Sequence, residues 1–289
     1  MRIGLSAYDM EPRDLLDLAV AADELGFEGI WLGEHLVLPF GYASEHPSTG
    51  QSAHQHHPGA VVDPATELMD PLVALGAAAA FTRRLGLATG IYLLPLRHPL
   101  VTARAVATLH EVSQGRFKLG AGAGWLREEF DALGVPFERR GARLEETLTV
   151  LRKAWSGGPF EHHGEHFDFG PVQVSPRPVP VPVVLGGNSD LALRRAVRLG
   201  DEWFSSGTPS FEDALALRGR LDALCAEADR GTELRRHFRV AGWDADLLHQ
   251  YEAEGFTDVV LWADQVWIKG PLEEKRRSLA RAAEKIGLG

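Results

Sequence analysis

Four short stretches of this chain hold residues whose types and spacing suit chemistry. Glu34-His35 follows the apolar run 29–33. An imidazole at a strand tip can hydrogen-bond a reacting atom or move a proton, since its ordinary pKa of ~6.5 straddles working pH. The plainer reading is a structural histidine linking strand end to loop, with Glu34 orienting the ring or capping the loop. Gly186-Gly187-Asn188-Ser189 leads from the apolar 183–185 into a helical pattern. Free N–H groups at a helix start, with an amide and a hydroxyl beside them, suit a phosphate; ordinary capping by Asn188 or Ser189 explains the same residues. Thr89-Gly90-Ile91 interrupts the apolar run 85–88, and a glycine there lets another group approach the backbone closely. The run from Gly120 through Gly122 to Gly124 lacks the G-x-G-x-x-G spacing of a dinucleotide fingerprint. It reads as flexible backbone beneath a ring system, or as a tight turn that needs glycine for packing.

The elements that must position these residues follow a strict rhythm. Short apolar runs at 2–7, 29–33, 85–88, 116–119, 183–185, 202–205, 238–241 and 257–262 lack polar alternation, as strands buried on both faces do. Helical patterns separate them, beginning at Pro12, near Met69, after Pro99, at Arg127, at Arg139, at Asp190, within 211–229, at Asp244 and at Pro271. Pro12 and Pro99 suit a first helical turn, and Gly26 a helix end. Eight strands alternating with helices predict an α/β fold, a single (β/α)8 TIM barrel spanning 1–289 as one domain. Two stretches break the rhythm. Residues 36–67 are rich in Pro, Gly, Ser and His and read as a lid after the second strand; residues 157–182 read as an excursion with a small hairpin before the fifth. In such barrels ligands bind at the carboxyl ends of the strands, where all four stretches fall.

Composition narrows the function. The 289 residues carry a net charge of −10 and 45% apolar side chains, which argues against nucleic acid or an anionic membrane as the main partner. The lone Cys225 suits a reducing cytoplasm, and no run reaches the ~18 apolar residues of a transmembrane helix. Histidines cluster at His46, His54, His56 and His57, and again at His162, His163 and His166. None has the H-E-x-x-H or Cys/His spacing that sets a zinc geometry, so no metal site is expected and a metal-dependent hydrolase is disfavoured. Trp31, Trp203 and Trp262 lie in strands as core or pocket wall.

Taken in order, several motifs resemble the luciferase-like monooxygenase superfamily, and within it the branch of deazaflavin (coenzyme F420)-dependent oxidoreductases. They are Gly33-Glu34-His35, Thr89-Gly90-Ile91 with 94–99 (Leu-Pro-Leu-Arg-His-Pro), Gly115-Arg116-Phe117 with 119–122 (Leu-Gly-Ala-Gly), 124–130 (Gly-Trp-Leu-Arg-Glu-Glu-Phe), His163-Gly164, and 184–189 (Val-Leu-Gly-Gly-Asn-Ser). The likeness runs from Arg2 to about Trp203 and continues more weakly to the C-terminus. It implies F420, or alternatively FMN, at the carboxyl face of the barrel, on a non-prolyl cis peptide between Gly90 and Ile91. His35 matches the family histidine near the reactive ring carbon, and Glu34 its acidic neighbour on the cofactor. Gly186 and Gly187 match positions near the ribityl-phosphate arm, with Asn188 and Ser189 as further donors. Trp125 stands where sugar-phosphate dehydrogenases of the family carry a catalytic glutamate, and Glu128 takes an asparagine's place on the cofactor side. Thr89, Gly90, Ile91, Trp125 and Glu128 thus join the expected cofactor contacts, and their relatives' substrate does not carry over. The expectation is an F420-dependent oxidoreductase with a small organic substrate, acting as a cytoplasmic homodimer. A reduced-FMN monooxygenase and a non-catalytic flavin-binding protein are the alternatives.

Overall fold

The computed structural model describes residues 1–47, 62–230 and 234–288. In chain order the first half reads β1 (Arg2–Ala7), α1 (Pro12–Leu25), β2 (Gly29–Leu32), α2 (Pro71–Phe81), β3 (Gly86–Thr89), β4 (Tyr92–Leu93), α3 (Pro99–Val112), β5 (Phe117–Gly122), α4 (Arg127–Ala132) and α5 (Arg140–Trp155). The second half reads β6 (Phe160–His163), β7 (Asp168–Val172), β8 (Val183–Gly186), α6 (Asp190–Leu199), β9 (Glu202–Phe204), α7 (Phe211–Glu227), β10 (Arg235–Arg239), α8 (Ala245–Ala253), β11 (Asp258–Trp262) and α9 (Leu272–Lys285). Eight parallel strands close on themselves in the order β1, β2, β3, β5, β8, β9, β10, β11, with β11 returning to β1 through Arg2 opposite Asp258 and Leu5 opposite Leu261. This is a (β/α)8 barrel, with its helices packed outside as a ring. Strands β6 and β7 pair antiparallel as a separate hairpin.

Local chemistry starts the helices where the fold needs them. Pro12 opens α1 and Gly26 closes it in the left-handed conformation, φ 82°, which glycine adopts at little cost. Asp70 caps α2 by accepting from Leu72 N–H and Val73 N–H (2.9 and 3.0 Å) ahead of Pro71, satisfying donors that no helical carbonyl reaches.

One strand departs from the sequence expectation. The seventh barrel strand begins at Arg235 and ends at Arg239, not at 238–241. Its charged start hides it from a hydrophobicity pattern, yet each charge is paired. Arg235 meets Asp258 and Glu28, Arg236 meets Asp222, and His237 meets Glu202.

The barrel interior is built in layers. At the amino end Asp258 accepts from both Arg2 and Arg235. Next comes Glu202, held by Lys118 (2.7 Å) and His237 (2.5 Å). Above these lies an apolar layer of Trp31, Ala88, Val184, Phe204 and Val260. Trp31 stacks on Phe204 at 4.6 Å between centroids, and Ile91 rests against the layer from above.

Candidate active site

The site begins with a break in one strand. Between Ala88, opposite Lys118, and Tyr92, opposite Ala121, the chain spends one residue more than β5 does. The surplus forms a bulge at Gly90-Ile91, after which β4 resumes the pairing, and the Gly90–Ile91 peptide is cis. The neighbouring glycines make room for it. A Cβ on Gly120 would lie 1.8 Å from Thr89 O, one on Gly122 2.0 Å from Ile91 Cδ1, and one on Gly186 3.0 Å from Ile91 Cγ2. The run from Gly120 to Gly122 is therefore a recess for the bulge, the packing reading of those glycines.

Glu34 fastens the far side of the bulge. Its carboxylate accepts from Leu93 N–H (2.7 Å) and from both terminal nitrogens of Arg97 (2.8 and 2.7 Å), and its side chain is almost wholly buried. Burial pushes the Glu34 carboxyl up, against the opposing pull of Arg97 and the Leu93 N–H. Next along the chain, His35 donates from Nδ1 to Glu129 Oε2 (3.1 Å), while Glu129 Oε1 accepts from Leu36 N–H and Val37 N–H. Glu129 has no exposed surface. A carboxylate whose oxygens are engaged as acceptors sets the proton on Nδ1 and leaves Nε2 for a bound molecule.

Above the bulge opens a cavity of about 860 Å³, within the range of small-molecule and cofactor sites. Every barrel strand, by its last residues or by the loop just beyond it, contributes to its wall. His35, Gly90, Ile91, Trp125, Gly186 and Arg239 are among the lining residues. Trp125 presents its ring to three neighbours edge-on, His35 at 5.9 Å, Tyr42 at 5.9 Å and His46 at 4.9 Å. On the other side α6 starts inside the cavity: Gly187 takes φ +120°, Ser189 accepts from Ala192 N–H (3.3 Å), and Arg140 and Arg195 line the adjoining wall. A Cβ on Gly187 would press to 2.8 Å from Ala192 Cβ, so this turn is a backbone cradle. Helix-start donors flanked by two guanidinium groups make a site for an anionic arm.

The structure brings most of the sequence candidates together and sends two elsewhere. Glu34, His35, Gly90, Ile91, Trp125, Gly186, Gly187, Asn188 and Ser189 all line the cavity. Thr89 lies beneath it, fully buried, its hydroxyl donating to Gly120 O (2.7 Å). Glu128 points away: it accepts from Ala43 N–H (2.7 Å) and Ser44 Oγ (2.7 Å), and so holds the described base of the 36–67 segment. Asn188, at the cavity wall, also braces the rim. Its amide donates to Ser206 O and accepts from Ser206 N–H, both at 2.8 Å, which ties β8 to β9. The remainder of the lid, with His54, His56 and His57, lies outside the described residues. In the hairpin, His162 meets Glu146 and His163 meets Asp168. Among the described residues no helix is long and apolar enough to cross a membrane.

Sequence reasoning missed Glu129, Arg97, Arg140, Arg195 and Arg239. Glu129 is beside Glu128, and only the helical register of α4 decides which of the two turns inward. The separation of 94 positions between His35 and Glu129 left no local signal of their pairing.

A closed (β/α)8 barrel with a ring-sized cavity, an oriented histidine and an anion cradle at its carboxyl face defines a cofactor-dependent barrel enzyme. The chain belongs to the luciferase-like monooxygenase family, whose model matches residues 2–243, and it is a flavin or deazaflavin oxidoreductase. It is 30% identical over 302 residues to the F420-dependent glucose-6-phosphate dehydrogenase of Beutenbergia cavernae, covering 99% of this chain and 82% of that enzyme. It is 29% identical over 277 residues to an uncharacterised protein of Mycobacterium tuberculosis, covering 94% and 93%. Among solved structures it resembles monooxygenase RslO1 from Streptomyces bottropensis, with TM-score 0.73 and 22% identity over 99% of this chain and 98% of that one. That last likeness is one of fold.

Proposed function

We infer that this protein is an F420-dependent oxidoreductase that transfers a hydride between the deazaflavin and a small organic substrate. The observation that carries the reading is the His35–Glu129 pair fixed at the wall of a cavity whose opposite wall is the α6 cradle. The likeness to an F420-dependent enzyme favours deazaflavin over FMN. When bound, F420 would supply two-electron hydride chemistry, having carbon where a flavin has the ring nitrogen that stabilises its one-electron state.

The residues present fit such a group. Gly186 and Gly187 leave room that any side chain would fill, and the first N–H groups of α6 with Arg140 and Arg195 suit its anionic arm. Ile91, backed by the Trp31–Phe204 stack, offers an apolar floor for a flat ring. His35, its Nδ1 held by Glu129, is set to polarise a substrate oxygen or hold a proton there through Nε2. Trp125, Tyr42 and His46 narrow the mouth and keep water from it.

The outer surface supports a homodimer. Val73 and Phe81 of α2 and Val101 and Val112 of α3 are 55–74% exposed on two helices packed side by side. A cytoplasmic location fits the unpaired Cys225.

Parallel titration with F420 and FMN, followed by tryptophan fluorescence, tests the cofactor. The expected result is saturation by F420 in the micromolar range and markedly weaker FMN binding. Tighter binding of FMN, with dioxygen consumed when the loaded protein is reduced, overturns the reading in favour of a monooxygenase. Binding of neither removes it altogether.

A further inference from the structure

Arg239 ends β10 with its guanidinium on the cavity wall, 7% exposed. It is the seventh strand of eight, so it faces the Gly90-Ile91 bulge of the third across the barrel mouth. Four other inward-turned cations meet a carboxylate, Arg97 at Glu34, Lys118 at Glu202, Arg195 at Glu145 and Arg235 at Asp258, and Arg140 donates to Gly124 O and Phe137 O. Among the described residues the Arg239 side chain has one long hydrogen bond, Nη1 to Gly207 O at 3.3 Å, and a buried Nε with no acceptor. Its charge is held in a slot. The Trp262 ring lies 4.3 Å and the Phe204 ring 4.9 Å from the guanidinium carbon. Trp262 Nε1 donates to Thr208 Oγ1 (2.8 Å), and the Arg239 main-chain N–H donates to Ser205 Oγ (2.8 Å). Aromatic faces orient a guanidinium and attract it, but they do not neutralise it. With no neighbouring charge to offset it, burial draws this arginine down to about 9.

We propose that Arg239 is the anchor for a carboxylate of the substrate, which makes the substrate class a small organic acid. A guanidinium fixed in plane presents parallel N–H donors that match the two oxygens of a carboxylate, a geometry an ammonium cannot offer. An uncompensated buried charge is costly and becomes favourable once an anion shares its site. The anionic arm of the cofactor has its own cradle at α6, between Arg140 and Arg195, two strands away from Arg239 around the barrel. The proposal rests on the cofactor reading above for the word substrate. Its central claim, carboxylate selectivity at Arg239, stands apart from which cofactor binds.

Two pairs of probes test it, acetate against acetamide and benzoate against benzamide, each titrated into the full chain with and without F420 or FMN. The expected result is that at least one carboxylate binds more tightly than its amide by about tenfold or more. Arg239→Met should abolish that preference and Arg239→Lys should keep part of it. Since methionine replaces an unpaired buried charge with a matching apolar stem, Arg239→Met should keep or raise the melting temperature. F420 or FMN affinity should stay within about twofold of wild type, the anionic arm being held elsewhere. Equal binding of acids and amides overturns the proposal. So does an Arg239→Met variant whose cofactor affinity falls as far as its carboxylate affinity, which assigns Arg239 to the cofactor. A drop in melting temperature with carboxylate selectivity intact makes the residue structural, and likewise overturns it. Failure of both cofactors to bind leaves the acid–amide comparison readable on the protein alone.

Discussion

His35 can serve as a proton-handling group because Glu129 decides which of its nitrogens faces the cavity. Removing the ring and loosening it should therefore act on the same quantity. His35→Ala is expected to lower kcat by about a hundredfold, the lower range for a positioned acid or base, with cofactor Kd little changed. Glu129→Gln keeps the shape but weakens the hold on Nδ1, and should give a smaller loss in kcat, again without loss of cofactor. Steady-state kinetics beside fluorescence titration separates the two quantities; a His35→Ala enzyme turning over like wild type defeats the assignment. Gly186 acts by absence. Gly186→Asp would bring a side chain against Ile91, where even a Cβ comes within 3.0 Å of Cγ2, and a negative charge beside the α6 cradle. Loss of measurable cofactor binding is expected, with the protein still folded by circular dichroism.

At the scale of elements, the bulged strand and the polar barrel layers depend on buried carboxylates. Glu34→Gln leaves Arg97 without its counter-charge, and breaking a buried pair of this kind costs about 3–5 kcal/mol. A lower urea midpoint with unchanged slope is expected, together with weaker cofactor binding, since the glutamine amide turns N–H toward Arg97 where a carboxylate oxygen accepted and so loosens the clamp on the bulge. Deeper in the barrel, burial pushes the Glu202 carboxyl up, but the His237 hydrogen bond and the Lys118 charge outweigh it and hold Glu202 at about 2. A carboxylate depressed in the fold contributes stability that is complete above its ordinary 4.5. That contribution is lost as pH falls toward about 2. Wild type should therefore lose stability across this window more steeply than Glu202→Gln. Urea unfolding at stepped pH measures the difference, and parallel curves would remove Glu202 as the cause.

For the whole molecule, the exposed apolar faces of α2 and α3 are the feature that a monomer leaves unexplained. Phe81→Glu combined with Val101→Glu should shift the sedimentation coefficient from that of a dimer to that of a 31.6 kDa monomer while the barrel stays folded. A wild-type chain that sediments as a monomer at micromolar concentration rules the dimer out. The same scale explains how one cavity collects its residues. Closing the sheet puts the carboxyl ends of all eight strands on one rim, so groups from Tyr8 to Trp262 meet over the bulge.

The barrel was legible in the chain because strands buried on both faces leave unbroken apolar runs, and helices leave caps and periodic stripes. Glu34-His35, the Gly90 interruption and the Gly186-Gly187 turn were legible because glycines and polar groups at strand ends disturb those runs. The strand at Arg235–Arg239 was not, since Arg235, Arg236 and His237 are answered only by Asp258, Glu28, Asp222 and Glu202 on other elements. Tertiary structure alone decided that Glu129 and not Glu128 steadies His35, that Asn188 meets Ser206, and that Arg239 stands buried without a carboxylate among the described residues. Pattern along a chain reports whether a residue prefers water or core. Which charge meets which depends on register and closure, and these bring together residues separated by as many as 261 positions, as at Asp14 and Lys275.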